Sequence, residues 1–87
     1  MELLIRELQY KVLREVVNNP GINVSKISQN ILGTFTHVHK IVNLLEKNGL
    51  VFSKRPNKRH RMVYPTERGI RVFNAISAAY RELHNEN

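Results

Sequence analysis

Residues 34–51 read TFTHVHKIVNLLEKNGLV, and the rest of the chain is arranged around this stretch. At about 100° per residue, Val38, Ile41, Val42 and Leu45 fall within one apolar arc, while Thr36, Lys40, Asn43 and Lys47 fall on the opposite side. Thr34 suits the N-cap, because its hydroxyl can satisfy a free amide of the first turn. Asn48-Gly49 supplies the stop, since glycine takes the left-handed conformation without steric penalty. One face of this helix belongs to a core. The other carries Thr36, His37, His39, Lys40 and Asn43, hydrogen-bonding groups of the kind that address base edges and phosphates.

Upstream, apolar residues from Leu4 to Val17 recur at near-helical spacing, predicting a first helix over about 3–18 that Asn18-Asn19-Pro20-Gly21 terminates. Residues 21–24 are extended in character. Ser25 then caps a second helix over 25–31, only two turns long, burying Ile27 and Ile31. Leu32-Gly33 turns the chain, with Gly33 supplying the unusual backbone angles, and the helix of 34–48 follows at once. A short helix, a tight turn and a longer helix with a polar outer face make a helix-turn-helix.

After Gly49 come two strand-like runs, 50–53 and 62–64, enclosing Lys54-Arg55-Pro56-Asn57-Lys58-Arg59-His60-Arg61. Pro56-Asn57 is turn chemistry, so 50–64 reads as a hairpin with a strongly basic tip. Thr66 caps a last helix over 66–84, whose Ile70, Phe73, Ile76, Tyr80 and Leu83 approximate a coiled-coil seam. Ile70 and Phe73 are expected on the domain's own core. Ile76, Tyr80 and Leu83, aided by Leu3 and Leu4, are expected at the interface of a homodimer.

Charge placement is the most informative compositional feature. The 87 residues hold 14 Lys and Arg against 7 Glu, with no Asp and no Cys. Both ends are neutral, and residues 20–66 carry eight basic residues against Glu46 alone, so the whole excess of seven lies in the middle. Such a block is an electrostatic footprint for a polyanion. Without cysteine there is no disulfide scaffold and no thiol chemistry. No apolar run approaches the ~20 residues needed to cross a bilayer, and the start MELLIRELQYK is amphipathic rather than signal-like. The expectation is a cytoplasmic protein of one domain, 1–87, small enough to lean on a partner for stability.

The spacing V-x-x-I-V-x-x-L-E-x-x-G-L-V from Val38 to Val51, with Thr66-Glu67-Arg68-Gly69 after the hairpin, resembles a winged helix-turn-helix regulator of the MarR type. In length the chain is more similar to minimal archaeal winged-helix proteins, since it lacks the long additional terminal helices of the MarR plan. The resemblance implies an α+β, mainly α fold: a three-helix core, a β-wing of two or three strands and a C-terminal helix. It implies a sequence-specific regulator of double-stranded DNA, the helix of 34–48 entering the major groove and the wing lying on the flanking backbone. Base contacts then fall to Thr36, His37 and Lys40, with Asn43 and His39 at the margins. Phe35 either touches a thymine methyl or packs on the second helix. Backbone contacts fall to Thr34, Lys26, Lys47, Lys54, Arg55, Lys58, Arg59 and Arg61.

Enzymatic chemistry has little to work with here, and no cofactor or small-molecule effector is indicated. His37 and His39 diverge by about 200° on a helix and cannot share a metal. Two other readings stand beside it: a winged-helix module that binds protein, a kind that usually loses the basic wing this chain retains, and RNA binding or a sequence-neutral architectural coat on DNA, which the charge equally fits.

Overall fold

The computed structural model describes residues 7–84. Helix α1 spans Glu7–Asn18, strand β1 Ile22–Asn23, helix α2 Val24–Ile31, helix α3 Phe35–Lys47, strands β2 and β3 Val51–Asn57 and His60–Pro65, and helix α4 Glu67–His84. The three strands form one antiparallel sheet in the order β1-β3-β2. Leu3 and Leu4, and the expected start of the first helix, lie outside the described residues. Among the described residues no helix is long and apolar enough to cross a membrane.

The core follows from periodicity. Val12, Leu13 and Val16 of α1 meet Val24 and Ile27 of α2 and Val38, Ile41, Val42 and Leu45 of α3, and Leu50, Val51 and Val63 close the cluster from the base of the hairpin. The apolar arc read from the sequence of α3 is the buried face. Each such side chain contributes roughly 1.5–3 kcal/mol on leaving water, much of it offset by lost conformational entropy.

Local chemistry sets the joints, with two departures from expectation. Asn23, not Ser25, caps α2: its backbone is extended and its side-chain oxygen accepts from Lys26 N at 2.8 Å, so the helix begins one residue earlier. At the helix-turn-helix corner, Leu32, not Gly33, takes the left-handed conformation (φ 57°), its amide bonding back to Ser28 O. Thr34 caps α3 as expected, accepting from His37 N at 3.2 Å, and Gly49 ends it at φ 75°. Thr66 accepts from Gly69 N and donates to Gly49 O, stitching the start of α4 to the end of α3.

The hairpin is longer and tighter than the sequence suggests. Pro56 and Asn57 belong to β2, and Asn57 pairs with His60, so the turn is Lys58-Arg59. Asn57 Oδ1 accepts from the amides of both Arg59 and His60, at 2.8 and 3.0 Å, which fixes this corner locally. The ladder is irregular between Lys54 and Asn57.

Helix α4 is rotated from its expected setting. Ile70 is 40 % exposed, while Val72, Phe73 and Ile76 pack on the core. The cause is Gly69, whose missing side chain lets α4 approach Leu50 so closely that a Cβ would fall 1.9 Å from the Leu50 carbonyl oxygen. The contact stripe therefore runs through Gly69, Val72, Phe73, Ile76 and Tyr80. Tyr10 of α1 meets it, stacking on Phe73 and lying 4.8 Å from the Tyr80 ring, with its hydroxyl 2.9 Å from Ser77 Oγ.

Candidate nucleic-acid interface

With Val38, Ile41, Val42 and Leu45 buried, the geometry of an α-helix leaves Thr36, Lys40, Asn43 and Lys47 as one row on the opposite face of α3, and all four are exposed. His37 is also exposed but sits on one flank of that row. There it lines a hollow with Lys40, Leu8, Gln9, Ile41 and Leu44, in which Gln9 Oε1 is buried and accepts no hydrogen bond. Phe35, His39 and Glu46 form the other flank, toward the hairpin. Phe35 is half exposed, sets its ring edge-on to His39 at 4.5 Å, and lines a cleft with Val24 and Ser25 at the start of α2.

The hairpin stands beside this second flank. Lys54, Arg55, Lys58 and Arg59 are exposed, and among the described residues none of them has a carboxylate partner. Lys54 lies 5.3 Å from the centre of the Tyr64 ring, which is itself stacked on Phe52. Between the hairpin, the start of α2 and the start of α3 runs a cleft of about 150 Å³, bordered by Asn23, Ser25, His39, Arg55, Arg59 and Arg61 among others. Cationic side chains and the amide end of α2 give it a positive potential suited to phosphate oxygens.

Two residues expected to touch nucleic acid are used elsewhere. Arg61 is only 6 % exposed. Its Nη2 pairs with Glu46 Oε1 at 2.7 Å, its Nε donates to Ser53 Oγ at 2.9 Å, and its Nη1 donates to His39 Nδ1 at 3.1 Å. A guanidinium has no acceptor, so His39 Nδ1 must be unprotonated and the ring neutral in this arrangement. Burial, and then the charges of Arg61 and Arg55, hold the His39 pKa below its ordinary value near 6.5. His39 thus faces the wing, and Arg61 is not a free phosphate ligand. Neither Glu46 nor Ser53 stood out in the sequence as a site residue, although a lone carboxylate among eight cations was a signal that something nearby pairs with it.

The remaining expected contacts are dispersed. Thr34 is exposed at the start of α3, and its hydroxyl is occupied as the cap. Lys26 lines a separate hollow with Asn19, Gly21 and Asn30. Ile76, Tyr80 and Leu83 border a wholly apolar groove with Ala79 on the outer half of α4, where Leu83 is 72 % exposed. Among the described residues, no three His, Cys, Asp or Glu side chains are grouped to hold a metal.

No family model and no curated protein matches the chain. Solved structures do. A MarR protein from Peptoclostridium difficile superposes with a TM-score of 0.82 at 26 % identity, over 93 % of this chain and 54 % of that one. The transcriptional regulator SlyA gives 0.77 at 28 % identity, over 91 % and 56 %. AF1382 from Archaeoglobus fulgidus gives 0.84 at 16 % identity, a likeness of fold alone, over 98 % of this chain and 97 % of that one. The chain has the winged-helix fold of the MarR-family regulators. It spans little more than half the length of the MarR protein and SlyA.

Proposed function

From its MarR-type winged-helix fold, we propose that this chain is a transcriptional regulator that binds double-stranded DNA in a sequence-specific manner as a homodimer. The observation that carries the reading is the pairing of two surfaces on one side of the molecule. One is the exposed row Thr36, Lys40, Asn43 and Lys47 on α3; the other is the set of free cations Lys54, Arg55, Lys58 and Arg59 on the wing beside it. The first has the donors and acceptors of base readout, with His37 at its margin. The second has the charge for phosphate contacts and counterion release. The apolar groove of α4, with Leu3 and Leu4 of the preceding segment, supplies the dimer contact, so that two recognition helices enter successive major grooves about 34 Å apart.

Competition binding tests this directly. Purified protein is titrated with duplexes from a random library and from its own promoter region at near-physiological salt, and its mass in solution is recorded. A dimer that prefers one site by about a thousandfold or more supports the proposal. Equal affinity for every duplex would favour a sequence-neutral coat. No binding would leave the fold serving a protein partner.

A further inference from the structure

We infer that Arg61 is a positioning residue for DNA binding: by joining Glu46 and His39 of the recognition helix to Ser53 of the wing, it sets where the wing's free cations stand relative to the base-reading row. The inference rests on the DNA-binding function proposed above and concerns how the two surfaces are held in register.

Three features support it. The hairpin ladder is regular from Val51↔Pro65 to Lys54↔Met62 and then slips before Asn57↔His60, so the outer hairpin has little lateral support of its own. Arg61 lies within that slip, between Met62 and His60, and its bonds to Glu46 and His39, with the Ser53–Glu46 bond, tie the hairpin to α3 by side chains. Second, His39 and Glu46 are seven residues apart, two turns along one flank of α3 and roughly 10 Å by helical rise. A side chain bonded to both fixes the hairpin against sliding as well as swinging. Third, the donors point in different directions at once, which a guanidinium can do and an ammonium on a flexible stem does poorly. Ser53 completes the tie by donating to Glu46 Oε1 at 3.2 Å while its oxygen accepts from Arg61 Nε.

His39 makes the tie sensitive to protons. It faces Arg61 of β3 and Arg55 of β2, with Lys58, Arg59 and His60 of the hairpin and the start of α2 around the same cleft. No carboxylate borders that cleft, and Glu46 is engaged by Arg61. Protonating His39 sets an N–H against a guanidinium N–H and breaks one of the three bonds.

The test measures affinity for a bound duplex across a salt series. Glu46→Gln keeps the shape of the side chain, removes the negative charge that pairs with Arg61 and makes the protein more positive. If Glu46 is a passive charge, or Arg61 already a phosphate contact, DNA binding tightens. As a tie, its loss weakens binding by about tenfold and flattens the salt dependence as wing cations leave the backbone. Unchanged or tighter binding overturns the inference. Arg61→Lys keeps the charge and should bind as weakly as Arg61→Ala; full rescue by Lys would make Arg61 an ordinary phosphate ligand and would also overturn it.

The pH profile gives a second test. Between about pH 7.5 and 5.5, protonation of His39 breaks its bond with Arg61 Nη1 and weakens binding. Wild type should therefore lose affinity relative to His39→Asn, which retains an acceptor near the Nδ1 position and does not titrate. Parallel profiles count against the inference. Hydrogen exchange of the Arg61 Nη2–H, which donates to Glu46, read without DNA, should be slow in wild type and fast in Glu46→Gln; equal rates would overturn the tie. If wild type binds no duplex while this protection is present, the functional reading fails and the positioning role with it, but the tie stands.

Discussion

At its base the hairpin is held from every side: Val51 and Val63 are in the core, Thr66 N bonds to Leu50 O, and Arg61 joins β2 to α3. A few residues on, at Lys58-Arg59, the same two strands carry only an asparagine-capped corner and unpaired positive charge. The cations differ accordingly: Arg61 is neutralised and internal, whereas Lys58 and Arg59 at the tip are left for something outside. Composition is therefore a poor guide to the role of a cation in this segment, and enclosure by neighbouring elements is a good one. The base should respond to substitution through stability, and the tip through binding.

The largest effect is expected where the wing's root meets α4. Gly69→Ala places a methyl group 1.9 Å from the Leu50 carbonyl oxygen, a rigid backbone atom. Helix α4 must move off the sheet, and since overpacking alone costs about 1–3 kcal/mol, a loss near or above the upper figure is expected. Urea unfolding checks it. A loss below about 1 kcal/mol would mean that the root is looser than its contacts imply.

The next effect concerns acid. His39 is held below its ordinary pKa, so on acidification the unfolded chain takes up this proton before the folded one does. The stability His39 contributes is present above about pH 6.5 and is lost as pH falls below that toward its folded pKa. Between about pH 7 and 5, wild type should therefore lose more thermal stability than His39→Asn. If the two melting curves shift together, the base of the wing is not coupled to this ring.

Much of this was legible in the sequence, for physical reasons. Periodicity identified the buried face of α3, and Thr34, Thr66 and Gly49 act through partners within a few residues or at a chain reversal, where sequence and geometry are tightly linked. Arg61 does not stand apart in the sequence, because its partners lie 15 and 22 residues away, at Glu46 and His39, and a run of cations looks uniform. A finer reading was available: on a strand, residues two apart share a face, so Arg61 lies on the side of Val63, whose cross-strand partner is Ser53. The setting of α4 failed for another reason. Counting only apolar residues left Gly69 out of the contact stripe, although a missing side chain is what permits the closest approach.

Leu32 resembles the tip in being exposed and the base in being constrained. Its side chain is 93 % accessible, so it gains nothing from burial, while its left-handed backbone costs a leucine about 1–2 kcal/mol relative to residues that tolerate it. Leu32→Asn should raise stability by roughly 0.5–1 kcal/mol, because asparagine visits this conformation more readily. Destabilisation instead would show that the leucine makes an apolar contact that matters to the fold.

The smallest effect on stability belongs to the tip, and it is the most direct way to break the comparison. Lys58 and Arg59 are exposed, and the amide of Arg59, not its side chain, closes the turn on Asn57. Replacing both with Ala removes charge without removing a packing contact or a capping bond, so stability should stay within about 0.5 kcal/mol. Each phosphate contact contributes ~0.9 to the slope of log affinity against log salt, so the same double substitution should flatten that slope by up to roughly two units per wing. A large loss of stability would mean that the tip, like the base, is part of the fold. An unchanged slope in a stable protein would remove these cations from the DNA interface, and the surplus charge of the hairpin would then need a different polyanion to account for it.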